Sequence, residues 1–210
     1  MADLYPLVVD ERRRLADQLD QLTDEQWATP SLCAGWTVRD VAAHVVYPTT
    51  TSKVRVIAPF VRSGFNFDKL TTQLVRADTR SGPELAAVLR KNAEHRFTPP
   101  GFGFEAPLTD VVVHGRDIGR PLGLPASIDA STARAVLDFV VSKKARRGFV
   151  GRGITEDLRF EATDLNWAHG TGPEVRGPAE AVILAILGRA VALPDLSGPG
   201  AVLLGGRLAA

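Results

Sequence analysis

The feature that most constrains the fold is the recurrence of apolar residues at helical spacing through most of the chain. In the first segment Val8, Leu15, Leu19 and Leu22 recur at intervals of seven, four and three residues, with charged residues between them. This periodicity is typical of an amphipathic helix that buries one face. The sequence therefore predicts a protein built mainly from packed helices.

The same pattern predicts four more helices before residue 148. Thr37 and Asp40 resemble a reciprocal N-terminal cap that opens a second helix, which Pro48 is expected to disturb. Pro83 stands at a favourable first-turn position for a third helix. The last two helices are expected at Pro107 to Ile118 and at Ser131 to Lys144.

The character of the sequence changes after Gly148. Glycine becomes frequent, residues 158–162 alternate between apolar and polar, and one apolar helix is expected near residues 178–187. This mixture is typical of a small α+β unit. We therefore expect a helical bundle at residues 1–148 and a small α+β domain at residues 149–210.

Composition and charge exclude several classes of protein. The 210 residues include 25 Lys+Arg and 24 Asp+Glu, a net charge of +1 that argues against nucleic-acid binding. The single cysteine, Cys33, forms no internal disulfide, which favours a reducing compartment. The longest apolar run, Ala181 to Leu187, is too short to span a membrane, and the N-terminal segment lacks the order of a secretory signal. We expect a cytoplasmic protein.

Three polar residues among apolar neighbours point to a metal site. Asp110 and His114 are four residues apart in a predicted helix, a spacing that fits metal chelation and also an ordinary ion pair. His44 lies in the apolar stretch of the second helix, where a hydrogen-bonded core histidine is the alternative. A bundle that turned all three inward would supply the three protein ligands of an open, zinc-like site.

Four other residues have weaker functional interpretations. Asp117 could orient an imidazole, but pairing with a nearby arginine, Arg116 or Arg120, is the more common use of such spacing. Cys33 precedes a helix and could act as a nucleophile, although packing between two tryptophans is the simpler interpretation. Of the remaining histidines, His95 is expected in solvent and His169 in a turn.

Two long motifs resemble those of a known enzyme family. The segments Pro30–His44 (PSLCAGWTVRDVAAH) and Asp110–Gly123 (DVVVHGRDIGRPLG) are similar to the hallmarks of the mycothiol-dependent maleylpyruvate isomerase family, within the DinB-like (YfiT-like) metalloenzyme superfamily. The segment Asp164–Arg189 is similar to the small C-terminal domain of that family. The resemblance covers nearly the whole chain.

The resemblance implies a mainly α fold, in which a DinB-like four-helix bundle holds one divalent metal, usually zinc, and a small α+β domain follows. Carried over to this sequence, it implies that the metal ligands are His44, Asp110 and His114. The isomerases carry a glutamate at the position of Asp110, so the carboxylate of this chain is one methylene shorter. An arginine of the C-terminal domain, for which we choose Arg189, is implied to hold a substrate carboxylate.

The resemblance also implies thiol chemistry. In the family, the metal stabilises the thiolate of mycothiol, which adds to the cis double bond of maleylpyruvate, permits rotation and leaves to give fumarylpyruvate. We therefore expect an isomerase or thiol transferase that acts on a small electrophile, as a monomer or homodimer. Two alternatives stay open: a non-catalytic DinB-like binding or regulatory protein, which the shorter Asp110 would favour, and a metal-dependent hydrolase whose open position holds water.

Overall fold

The computed structural model describes residues 3–50, 67–126 and 128–209. Its chain divides into two compact units, Met1–Ala126 and Ser127–Ala210. The expected architecture is confirmed, since the first unit is helical and the second combines helices with a small sheet. Over this described part of the chain, no helix is both long enough and apolar enough to cross a membrane.

The first unit is a bundle of helices. Four of them form its body, because α1 and α3 each pack against both α5 and α6. Leucine, valine and alanine side chains from these helices, together with Trp27, form a continuous buried core. The described helices of this unit are α1 (Tyr5–Leu19), α2 (Asp24–Trp27), α3 (Val38–Thr50), α4 (Phe67–Ala77), α5 (Gly82–Lys91) and α6 (Glu105–Gly119).

Helix α3 starts where the sequence predicts. The backbone N–H of Thr37 donates to Asp40 Oδ2 at 3.0 Å, and the Asp40 N–H donates to Thr37 Oγ1 at 3.2 Å, which completes the reciprocal cap. The expected disturbance by Pro48 is wrong, because the helix continues through it to Thr50. Proline lacks an N–H donor, so the helix passes Pro48 with the loss of one backbone hydrogen bond.

The second unit packs helices on a three-stranded sheet. Strand β1 (Arg159–Ala162) lies in the centre, antiparallel to β2 (Trp167–His169) and parallel to β3 (Glu174–Gly177). The expected apolar helix is present as α8 (Ala179–Ile186), which packs on β1 and β3. Helix α7 and the C-terminal helix α9 complete the unit, with 3-10 turns beside them at Ala145–Arg147 and Ala190–Asp195: α7 (Ala130–Val140) and α9 (Pro199–Leu208).

The compact units divide earlier in the chain than the boundary expected at residue 148. Helix α7, which the pattern of the sequence assigned to the first domain, packs against α8 in the second unit. Its side chains also contact other parts of the second unit. Asp138 accepts a hydrogen bond from Trp167 Nε1 at 2.8 Å, and Arg134 donates to the Asn166 carbonyl at 2.6 Å. Helical periodicity identified α7 but could not indicate which partner its buried face would meet.

The start of α5 lies directly on the indole of Trp27. A cap between Ser81 and Glu84 sets the start of the helix, with the Ser81 N–H donating to Glu84 Oε2 at 2.7 Å. The backbone of Gly82 then approaches the indole so closely that a Cβ atom would lie 2.3 Å from its ring carbons. Gly82 is therefore required for packing.

We expect Gly82→Ala to destabilise the protein by about 1–3 kcal/mol, because the added methyl group overlaps the buried Trp27 ring. Urea denaturation followed by circular dichroism measures the loss. Gly206→Ala is the matched control, since it lies in a helix with no heavy atom within 4 Å of the added Cβ and should leave stability equal or higher. Equal stability of Gly82→Ala and the wild-type protein would contradict this packing requirement.

Candidate metal centre

Helix α3 brings His44 to the interior of the bundle. Val41, Val45 and Val46 on the same helix are buried in the core and fix its inward face. The His44 side chain is 14% exposed, and its ring lies 5.4 Å from the ring of Trp36. The histidine thus sits at the edge of the core rather than in solvent.

Helix α6 supplies the other polar groups of the site. Its residues are buried on nearly every side, including the three valines between Asp110 and His114. The side chains of Asp110 and His114 point the same way because they are four residues apart. Asp117, one turn after His114, has a fully buried side chain.

The structure brings together the three residues expected from the sequence to be metal ligands. Asp110 Oδ1 lies 3.6 Å from His44 Nε2 and 3.6 Å from His114 Nε2. The two imidazole rings meet edge to face, with their centroids 4.7 Å apart. One ligand atom from each of the three residues lies within 4.8 Å of the others.

This donor set fits a divalent metal such as zinc. Two ligands that lie 2.0–2.1 Å from a tetrahedral zinc ion are about 3.3 Å apart. The observed separations of 3.6 Å therefore exceed that distance by only a few tenths of an ångström. Two imidazole nitrogens and one carboxylate oxygen are also a common set of catalytic zinc ligands, and they leave a fourth position open.

Asp117 orients His114. Its Oδ2 atom lies 2.8 Å from Nδ1 of His114, so the carboxylate accepts the Nδ1 proton and leaves Nε2 directed toward Asp110. The preferred interpretation of Asp117 as the partner of a nearby arginine missed this contact. Arg116 donates to the carbonyls of Leu124 and Pro125. The spacing of three residues between His114 and Asp117 was the available signal.

Cys33 lies behind the same pair. Its thiol donates to Asp117 Oδ2 at 3.2 Å, and Sγ is 3.7 Å from His114 Nδ1. The backbone N–H of Leu32 also donates to the Asp117 carbonyl at 3.1 Å, which ties this connecting segment to α6. The sequence placed no histidine near Cys33, because the two residues are far apart along the chain.

The electrostatics of the cluster favour an ionised Asp110 and a positively charged His114 in the metal-free protein. Burial alone would raise the pKa of Asp110, but the polar contact with His44 and the positive charges of His114 and Arg12 hold it below its ordinary value. Burial likewise opposes the charge on His114, yet hydrogen bonds with Asp117 and Cys33 and the nearby carboxylates raise its pKa to about 10. A cation that binds Nε2 must displace a proton from it.

The other residues considered from the sequence belong to other segments of the chain. Arg189 belongs to the second unit, where its Nη1 donates to the Leu187 carbonyl at 2.6 Å. His169 is exposed in β2, and its ring stacks on Trp167. The expectation that His95 is solvated is wrong, because it is half-buried and its carbonyl accepts a hydrogen bond from Arg12 at 2.7 Å.

Fold and site together define a helical-bundle protein with a half-buried cluster of two histidines and one aspartate. Residues 8–99 match the family model described as the mycothiol maleylpyruvate isomerase N-terminal domain. This part of the chain is therefore a domain of that family, as the motifs predicted. The match includes His44 and ends before α6.

The whole chain is similar in fold to solved structures. The crystal structure of the mycothiol-dependent maleylpyruvate isomerase aligns with a TM-score of 0.51 and 14% sequence identity, covering 96% of this chain and 97% of that one. A histidine-to-alanine mutant of that isomerase aligns equally well, with a TM-score of 0.50 at the same identity and coverage. No curated protein matches this sequence. The structural likeness establishes the fold.

We expect Asp117→Asn to lower the affinity for zinc about 10- to 100-fold, because the amide keeps the shape but loses the charge that holds Nδ1 of His114. Competition with a chromophoric chelator measures the affinity. Asp138→Asn is the matched control, since Asp138 is a hydrogen-bonded carboxylate of the second unit and its loss should leave zinc affinity unchanged. An Asp117→Asn protein that binds zinc as tightly as the wild type would rule out the orienting role.

Proposed function

We propose that the protein is a metal-dependent enzyme of the maleylpyruvate isomerase type. His44, Asp110 and His114 would hold one divalent cation, for which zinc is the best match, and mycothiol would serve as the thiol cosubstrate. The reaction would be cis-trans isomerisation of a small electrophile or transfer of the thiol to it. The observation that carries the proposal is the cluster of these three ligands, with Asp117 holding His114 from behind.

The shorter side chain of Asp110 is compatible with this role. Its Oδ1 lies equally far from both Nε2 atoms, so an aspartate on α6 reaches the centre of the cluster without an additional methylene group. This geometry favours the enzyme over the non-catalytic alternative, which rested on the replacement of glutamate by aspartate.

The residues of the site would have distinct roles in this chemistry. A divalent cation at the cluster would supply positive charge that favours the thiolate form of a bound thiol near neutral pH. Asp117 fixes the orientation of His114. Cys33 is engaged by Asp117, so we assign it to positioning and take the nucleophile from the external thiol.

The thiol is regenerated in the isomerisation. Its sulfur forms a bond to one carbon of the cis double bond. The π electron pair of the double bond moves into the conjugated carbonyl group. The remaining carbon–carbon single bond rotates. Return of the electron pair then expels the same thiolate and leaves the trans alkene. In the transfer reaction the adjacent carbon takes a proton instead, and the thioether is the product.

Arg189 is proposed to bind a carboxylate of the substrate. A guanidinium group matches a carboxylate with two parallel hydrogen bonds. The half-buried position of Arg189 after α8 fixes its backbone, since the Arg189 N–H donates to the Leu184 carbonyl at 2.9 Å.

We expect about one zinc ion per chain in protein purified without an affinity tag, and loss of zinc in His114→Ala, because a site with two protein ligands binds zinc much more weakly. Elemental mass spectrometry measures the content. His169→Ala is the control, since it removes an exposed histidine of the second unit. Wild-type protein that stays metal-free after incubation with zinc would contradict the metal site.

The activity test separates the proposed function from its alternatives. Zinc-loaded protein should convert maleylpyruvate to fumarylpyruvate, or consume another small electrophile, only when mycothiol is present. Turnover of a hydrolysable substrate without any thiol would instead identify a hydrolase. Zinc binding without turnover of any electrophile in a panel would favour a binding or regulatory role.

A further inference from the structure

Arg12 is a buried cation in the first unit. It lies on α1 and the residue is only 3% exposed, whereas the next residue, Arg13, is exposed to solvent. Burying a guanidinium group costs free energy unless hydrogen bonds and opposite charges replace water. The partners of Arg12 therefore indicate which interactions offset this cost.

Along the bundle, Arg12 lies at the level of the cluster formed by His44, Asp110 and His114. The ring of Tyr5 contacts that of Phe104 at 5.2 Å, and a Cβ atom on Gly115 would lie 3.7 Å from Leu15 Cδ1. The residue numbers of the contacting pairs increase together on both helices, so α1 and α6 run parallel. Arg12 lies between Tyr5 and Leu15 just as Asp110 lies between Phe104 and Gly115.

Among the described residues, Arg12 finds acceptors for only one of its nitrogens. Nη1 donates to the carbonyls of Ala93 and His95 at 2.9 and 2.7 Å. Within residues 3–50, 67–126 and 128–209, no acceptor binds Nε or Nη2. The edge of the guanidinium group that carries these two atoms is well suited to a carboxylate, which accepts two parallel hydrogen bonds.

The nearby carboxylates do not occupy this edge. Glu11, the residue before Arg12, accepts two hydrogen bonds from Arg14 through Oε2, at 2.9 and 2.6 Å. Asp110 is close enough for its charge to interact with Arg12, but the described residues show no direct ion pair between them. Nδ1 of His95 is also buried without a hydrogen-bond partner in the described chain. Two neighbouring polar groups, the Nε and Nη2 edge of Arg12 and Nδ1 of His95, thus lack partners in the part of the chain that the structure describes.

We propose that Arg12 is an anion-binding residue of the site, whose Nε and Nη2 receive a carboxylate of the substrate while the cluster of His44, Asp110 and His114 handles the thiol. The substrate class is then a small unsaturated acid that carries its carboxylate close to the reacting double bond. The identity of the reaction rests on the proposed function, but the binding of the anion does not require turnover. The assignment places a carboxylate partner within the first unit itself.

The test compares a dianion with its neutral counterpart. Titration calorimetry on zinc-loaded protein measures binding of maleate and of maleamide to the wild type and to Arg12→Met, which keeps an apolar side chain of similar length. We expect Arg12→Met to weaken maleate binding about tenfold or more, because charge-assisted hydrogen bonds are lost, and to change maleamide binding little. Zinc content should stay the same.

Two further variants control the result. Arg13→Met removes a neighbouring arginine whose partner is the exposed Glu94, and it should bind maleate like the wild type. Arg12→Lys keeps a donor for the Ala93 and His95 carbonyls but loses the two-pronged edge, so it should fold and still bind maleate more weakly. This variant keeps the test valid if Arg12→Met does not fold.

Three outcomes would overturn the proposal: no detectable maleate binding to the wild type, equal maleate affinity in both Arg12 variants, or an equal loss for maleate and maleamide, which would indicate a purely structural role. The proposed function fails by different results, namely absence of zinc or of thiol-dependent turnover. Maleate binding that depends on Arg12 in a protein without turnover would support the anion site and remove the isomerase.

Discussion

The hydrogen bond between Asp117 and Nδ1 of His114 is the interaction on which the site depends. The Asp117 side chain is completely buried, and an unpaired carboxylate in such a place would be strongly destabilising. The imidazole and the Cys33 thiol both donate to it and remove that penalty. Because Nδ1 is occupied, His114 must present Nε2 to Asp110. The buried negative charge of Asp117 thereby determines that Nε2 of His114 faces Asp110.

Further buried polar contacts lie toward the C-terminal end of α6. Arg116, also buried, satisfies its guanidinium group with the carbonyls of Leu124 and Pro125, so it ties the chain after the helix back onto it. The Leu32 N–H reaches the Asp117 carbonyl from the other side. Buried polar groups stabilise a fold only when they are satisfied together. The site and the packing of the bundle therefore depend on the same hydrogen bonds.

The balance of charge also bears on the substrate. Asp110 and Asp117 contribute two negative charges, and Arg12 contributes one positive charge at the same level of the bundle. A divalent cation at the cluster would leave the site with a net positive charge when both histidines are neutral. Such a site favours a thiolate and an acidic substrate over neutral molecules, since opposite charges attract strongly where water is largely excluded. The proposed thiol chemistry and the proposed role of Arg12 thus both require positive charge in the same small region.

Helical periodicity in the sequence determined the mainly α fold, the cap at Thr37 and Asp40, and the presence of an apolar helix before residue 188. These features depend on neighbours in the sequence, whose spacing can be read directly. The spacing of Asp110 and His114 likewise predicted a shared helix face. Only the tertiary structure decided that His44 joins them, that Cys33 and Asp117 lie behind His114, and that α7 packs with the second unit. Contacts between residues far apart in the chain depend on how helices pack, and a local pattern shows which face of a helix is buried but not what it is buried against.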